Sequence, residues 1–229
     1  MEINKTFESC NYCPHKCGVI RNHDKGYCNT DDQTLISSIF LHKGEEPIIS
    51  GENGICNVFF AHCNLQCIYC QNYQISRNDS FDPLWQINVD EAAKRICTLL
   101  DNDVKILGFV SPSHQIPQML QIIESVRERG YKPTIVYNSN GYDNVESLKS
   151  LEGIVDVYLP DFKYFNNDFA LKYSGVPDYF DVASRAIKEM YRQKGSTILF
   201  ADNGLIESGL IIRHLVLPGL SSDSIKILE

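Results

Sequence analysis

NVFFAHCNLQCIYCQNYQIS, residues 57–76, decides how this chain is read. Its first five residues, Asn57–Ala61, form a short apolar run of the kind that makes a buried strand. Directly after them Cys63, Cys67 and Cys70 fall in a CxxxCxxC spacing, with the aromatic Tyr69 before the last cysteine. An electron-transfer cubane is ordinarily held by four cysteine thiolates. Three on one loop leave one iron without a protein ligand, and an unfilled position is where a substrate or cofactor binds. The same spacing also suits a zinc loop that borrows His62, or buried thiols with no metal.

Downstream of this loop, β-branched and aromatic runs alternate with helical patterns, the signature of βαβ units around a parallel sheet. Candidate strands are 57–61, 106–111, 134–139, 155–162 and 211–217. In VDEAAKRICTLL, residues 89–100, Val89, Ala92, Ala93, Ile96, Leu99 and Leu100 share one helical face. QIPQMLQIIESVRERG and FDVASRAIKEMYRQKG repeat that period and close on Gly130 and Gly195, residues suited to a left-handed cap. Such helices can cover the outside of a curved sheet. The fold class expected is α/β, a partial (β/α)6-type TIM barrel over residues 57–229. The chain stops at Glu229 just after Ser221-Ser222-Asp223 opens a new helix, so truncation is expected.

Residues 1–56 read differently, as a small Cys-rich appendage containing the strand-like LISSIFLH and too little apolar mass to fold alone. Cys10, Cys13, Cys17 and Cys28 supply four thiolates, enough to close a zinc site or saturate an auxiliary [4Fe–4S] cluster. Reduced free thiols are the rival reading. Cys56 and Cys97 read as ordinary buried thiols.

Composition bounds the rest. A chain of 229 residues with 43% hydrophobic content can bury one substantial core. A formal net charge of -8 and a pI near 5.3 would repel a phosphate backbone, so nucleic acid is not expected as a partner. The start, MEINKTFESCNYC, lacks the basic and apolar regions of a secretory signal, and no apolar run approaches a bilayer's thickness. No membrane partner is expected. The nine cysteines, odd in number and mostly clustered, favour thiolate ligation in the reducing cytoplasm over a disulfide framework.

With its aromatic before the third cysteine, the 63–70 motif resembles that of the radical S-adenosylmethionine superfamily. GEEPIISG, VYLPDFKY, YSGVPDY and IRHLVLPG further resemble an uncharacterised branch related to pyruvate formate-lyase activating enzymes, over roughly Cys10 to Gly219. The resemblance implies a [4Fe–4S] cluster on Cys63, Cys67 and Cys70. It implies S-adenosylmethionine chelated by the open iron and cleaved to a 5'-deoxyadenosyl radical that takes hydrogen from a substrate. A reductant such as flavodoxin or ferredoxin would supply the electron.

It also nominates site residues. Ser111, Ser113 and His114 stand where the superfamily usually carries a Gly-Gly-Glu-like segment, although Pro112 and the serines also suit a plain turn. Asn138 and Asn140 of NSNG resemble the strand-end Asn-Gly of activating enzymes, with turn chemistry again the rival. Asp161 and Lys163 match an Asp-x-Lys, with a rim salt bridge as the alternative. Arg213 matches an Arg that approaches S-adenosylmethionine, and an Arg within an apolar strand needs an anion in any case. His214 is expected to point to the opposite face and pack. The substrate is open between a protein, as in glycyl-radical activation, and a small molecule. A non-catalytic iron–sulfur or zinc module is the third reading, which the vacant iron argues against.

Overall fold

Side chains alternate across a strand, so a strand covered on both faces reads as a nearly continuous apolar run. The computed structural model of the chain describes residues 9–229. In chain order its elements are β1 (Ile36–His42), α1 (Pro47–Ser50), β2 (Ile55–Phe60), α2 (Tyr73–Ser76), α3 (Val89–Leu100), β3 (Ile106–Val110), α4 (Ile116–Glu128), β4 (Thr134–Ser139), α5 (Val145–Lys149), β5 (Val157–Pro160), α6 (Asn167–Ser174), α7 (Tyr179–Lys194), β6 (Leu199–Phe200), β7 (Ile206–Leu210) and α8 (Ser221–Leu228).

The strands form one sheet in the order β1-β2-β3-β4-β5-β7-β6. β2, β3, β4, β5 and β7 run parallel, while β1 and β6 add antiparallel edges. The sheet does not close, so the architecture is the expected partial α/β barrel, with five parallel strands among the described residues.

The period of two decides which side chains meet which layer. Leu107 and Phe109 of β3, Ile135 and Tyr137 of β4 and Tyr158 of β5 join Ile96, Ile122 and Met190 of the covering helices in the main core. Ile106, Val136, Val157 and Leu159 alternate with them and cluster on the other face with Ile49, Ile55 and Ile206. Cys56 in β2 and Cys97 in α3 belong to the main core and are buried. Among the described residues no cysteine is in a disulfide. The helices start and stop as their sequence signals indicate: the Asn88 side chain accepts from Glu91 N–H at 2.7 Å at the start of α3, and Gly195 follows α7 at φ 70.

Two readings of the sequence change. The fifth parallel strand is Ile206–Leu210, not 211–217; beyond Leu210 only an isolated bridge between Asp161 and Arg213 continues the ladder. Backbone bonds in the same register still run from Ile211 N–H to Tyr158 and from Arg213 N–H to Pro160, both at 2.9 Å, but Pro160 has no N–H to return one, which interrupts the strand. The N-terminal region, read as an appendage unable to fold alone, is joined to the sheet through β1, and its boundary moves. β1 pairs along the length of β2, from Ile36 opposite Phe60 to His42 opposite Ile55, and supplies partners for an otherwise open edge. A boundary at residue 56 falls inside β2. Among the described residues, no helix is long and apolar enough to cross a membrane.

Gly141 follows β4 at φ 78, and a Cβ there would stand 2.1 Å from the Asp161 carbonyl oxygen. Gly153 has a similar φ of 77 with nothing within 4 Å. Gly153→Ala should therefore cost only the left-handed strain of about 1–2 kcal/mol, and Gly141→Ala distinctly more. Urea unfolding of both variants measures this, and equal losses would contradict the close approach at Gly141.

Candidate active site

Parallel pairing levels the strand ends. Phe59 lies opposite Val110, Val110 opposite Asn138, Ser139 opposite Pro160, and Asp161 opposite Arg213. The loops that leave these ends share one rim, the C-terminal face on which β/α barrels build their sites. A cavity of about 620 Å³ opens there, lined among others by Cys63, Cys67, Cys70, Ser111, Asn138, Asn140, Asp161, Lys163 and Arg213.

The cysteine loop leaves β2 through His62, in a left-handed conformation at φ 65. The Asn78 side chain then clamps it: its Oδ1 accepts from Cys63 N–H at 3.2 Å, and its Nδ2 donates to the carbonyls of Cys63 and Tyr27, both at 3.0 Å. The His15 Nε2 lies 2.8 Å from the Asn64 carbonyl, so the N-terminal knot also touches this loop. All three sulfurs have polar partners. Cys63 Sγ accepts from Asn140 Nδ2 at 3.3 Å and Leu65 N–H at 3.4 Å, and Cys70 Sγ from Ser76 Oγ at 3.3 Å. Ser174 Oγ stands 2.9 Å from Cys67 Sγ.

Such surroundings suit thiolates. Burial pushes the Cys63 thiol up to about 12, so its deprotonation depends on a bound cation. Among the described residues no three Cys, His, Asp or Glu side chains gather closely enough to hold a single metal ion, His62 with these cysteines included. The thiolates of a cubane each bond a different iron and stand further apart than ligands to one ion. The donor set fits a cluster.

Facing the loop is a network of charges. Lys163 Nζ lies 2.7 Å from Asp161 Oδ2; Arg213 lies 3.3 Å from Asp161 Oδ1 and 3.4 Å from Glu45 Oε2, and donates to Asn138 Oδ1 at 2.6 Å. Burial works against the Lys163 charge, but Asp161 and then Cys67 outweigh it and hold the ammonium above its ordinary range. Glu45 also accepts from Asn57 Nδ2 at 3.1 Å. Room for Asn57 comes from Gly108, where a Cβ would stand 2.3 Å from Asn57 Oδ1.

The residues nominated from sequence divide. Asn138, Asn140, Asp161, Lys163 and Arg213 all line the cavity with the cysteines. Asn140 makes the turn contact, its Oδ1 accepting from Tyr142 N–H at 2.9 Å, while its Nδ2 reaches Cys63 Sγ. Of the 111–114 group only Ser111 lines the cavity. A short 3-10 turn, Pro112–His114, carries the other two into the core: Ser113 Oγ lies 3.4 Å from the Tyr137 hydroxyl, and His114 Nε2 2.9 Å from the Ala61 carbonyl. His214 differs from expectation by lining the same cavity as Arg213, the parallel pairing that would alternate the two ending at the Asp161–Arg213 bridge. Glu45, Asn57, Ser76 and Ser174 were missed. Glu45 and Ser174 lie within GEEPIISG and YSGVPDY, motifs quoted for their resemblance without a role.

The profile of the Radical SAM superfamily matches residues 57–226. The chain belongs to the radical SAM superfamily. An uncharacterized protein of Methanocaldococcus jannaschii is 35% identical over 223 residues, which is 95% of this chain and 60% of that protein. This radical SAM chain thus spans less than two thirds of that relative's length. A solved structure of native anSMEcpe with bound AdoMet aligns at a TM-score of 0.49 and 15% identity, over 73% of this chain and 44% of that one.

In this radical SAM chain His114 is a structural group with a readable signature. Burial, with Arg21 nearby, pushes its pKa down to about 3 from 6.5, although the Ala61 carbonyl opposes the shift. A depressed histidine contributes stability above the unfolded value, and loses it as pH falls toward the folded one, because only the unfolded chain takes the proton. From pH 7 to pH 5 the parent should lose roughly 2 kcal/mol more than His114→Gln, at about 1.4 kcal/mol per unit below 6.5. Denaturant unfolding at both pH values checks this, and parallel losses in the two proteins would refute it.

Proposed function

We propose that the chain binds a [4Fe–4S] cluster through Cys63, Cys67 and Cys70 and cleaves S-adenosylmethionine in the adjoining cavity. One observation carries the reading: three closely spaced thiols, each in contact with polar groups, share a cavity with a paired set of cations and carboxylates. When bound, the cluster would supply the electron for reductive cleavage, leaving a radical that abstracts hydrogen from the substrate.

The protein's part is to hold and orient. Asn140 and Ser76 donate to thiolate sulfurs. Lys163 offers a cation beside Cys67, toward which a carboxylate of S-adenosylmethionine can turn. Arg213 and Asn138, already bonded to each other, fix the position of Asp161, whose carboxylate suits an ammonium group. Ser111 provides a hydroxyl at the same rim. The proposed electron donor is a small redox protein such as flavodoxin or ferredoxin.

The proposed substrate is a protein segment, as in glycyl-radical activation. Support comes from the motifs shared with that branch and from apolar Phe40 and Leu215, exposed at 40% and 51%, on the cavity lining. Anaerobic reconstitution with S-adenosylmethionine and a reductant should yield 5'-deoxyadenosine. Cys63→Ala, Cys67→Ala and Cys70→Ala should each abolish product and remove the catalytic cluster's share of the absorbance, since each removes one of three protein ligands. Full cleavage by any of them would sink the assignment.

For Cys10, Cys13, Cys17 and Cys28, which as they stand do not gather closely enough for a single ion either, a second cluster is proposed, zinc requiring the four thiols to draw together. Support comes from Arg21, only 1% exposed, whose hydrogen bonds run to the His114 carbonyl at 2.8 Å, Thr30 Oγ1 at 2.7 Å and Cys28 Sγ at 3.2 Å. A buried guanidinium calls for an anion, and metal-bound thiolates provide one. Metal analysis of the Cys63/Cys67/Cys70 triple Ala variant should find residual zinc or iron, which a further Cys28→Ala exchange lowers. Neither metal in the triple variant would refute this site.

A further inference from the structure

Tyr164 and Ser174 are fully buried beside the cysteine loop, and nothing above gives Tyr164 a role. Ser174 ends α6, and Gly175 caps it at φ 76. The carbonyls of Tyr173 and Ser174 accept from Ile68 N–H at 2.9 Å and Gln66 N–H at 3.2 Å, so the end of α6 holds the loop on both sides of Cys67. From there a line of hydroxyls reaches the sulfur. Ser174 Oγ is 2.9 Å from Cys67 Sγ and 2.7 Å from the Tyr164 hydroxyl, which is 2.5 Å from the Tyr69 hydroxyl.

Each hydroxyl carries one proton, and a thiolate can only accept. With Cys67 bound to iron, Ser174 must donate to the sulfur. Tyr164 must then donate to Ser174, and Tyr69 to Tyr164. The metal would fix one direction for the whole line, which starts and ends on the same loop two residues apart.

We propose that Ser174, backed by Tyr164 and Tyr69, is a positioning residue that donates a hydrogen bond to the Cys67 thiolate and raises the reduction potential of the cluster; this rests on the cluster reading above. The physical reason is charge. Reduction adds an electron that the sulfurs share, so a donor to sulfur stabilises the reduced form more than the oxidised one. Donation along the line polarises the last hydroxyl and strengthens that bond. Ser174 thus acts on the site through Cys67, not by touching the substrate.

The test is an EPR-monitored redox titration of the anaerobically reconstituted full chain, with the catalytic cluster identified by the change in its signal on adding S-adenosylmethionine. Ser174→Ala should shift the midpoint to a more negative potential at the parent's iron content. Tyr164→Phe should shift it the same way by less, since Ser174 still donates but is less polarised. Ser174→Thr, which keeps the hydroxyl, should stay near the parent. If Ser174→Ala fails to take up iron, Tyr164→Phe decides, because its hydroxyl does not touch the sulfur. Unchanged potentials at full iron content would overturn the proposal and leave the cluster assignment standing. A parent chain that binds no cluster would overturn both.

Discussion

The backbone ladder that runs from β2 through β5 to β7 is the constraint on which the rest depends. Side chains alternate faces at every residue, so a slip of one position between neighbours would exchange the helix-facing and interior sets of a strand. Leu107 and Phe109 would leave the helices, and Asn57 would lose the space over Gly108. The same register aligns the ends of strands that are distant in sequence. Val110, Ser139 and Pro160 close their strands within one residue of the same level, and the chain then spills into loops that carry Ser111, Asn140 and Asp161. Packing on the helix side thereby sets the geometry of the cavity.

The cavity's polar content is stable only as a set. Lys163 and Asp161 have side chains exposed at 12% and 26%, and Glu45 at 11%. Charges that deep are costly unless paired, and removing one member leaves the others uncompensated. Arg213 links them by contacting both carboxylates and Asn138. The arrangement gives the cavity fixed dipoles and charges that need little reorganisation when a charged ligand enters.

The N-terminal region supports this face from outside the barrel. β1 completes the edge beside β2, His15 lies against the Asn64 carbonyl, and Asn78 joins Tyr27 to Cys63. Arg21 reaches in the other direction, to the carbonyl of His114. Metal at Cys10, Cys13, Cys17 and Cys28 would therefore brace the two turns that flank the cavity, 62–70 and 111–114. Composition shows only that this region is rich in cysteine and poor in apolar mass. It cannot show that LISSIFLH pairs with the strand that launches the cysteine loop.

The sequence by itself determined what local pattern can encode. Three cysteines within eight residues after an apolar run, helical periods closed by glycine, and strand-end polar residues at 138–140 and 161–163 were all legible, because spacing along the chain fixes which side chains share a loop or a face. Tertiary structure alone decided the rest. Glu45 meets Arg213 across 168 positions and Ser174 meets Cys67 across 107, distances over which no periodicity carries information. It also decided that Ser113 and His114 turn inward and that 211–217 is not a strand. Both depend on which neighbour offers a hydrogen bond: the Ala61 carbonyl takes His114, and Pro160, lacking an N–H, interrupts the ladder before the bridge at Arg213.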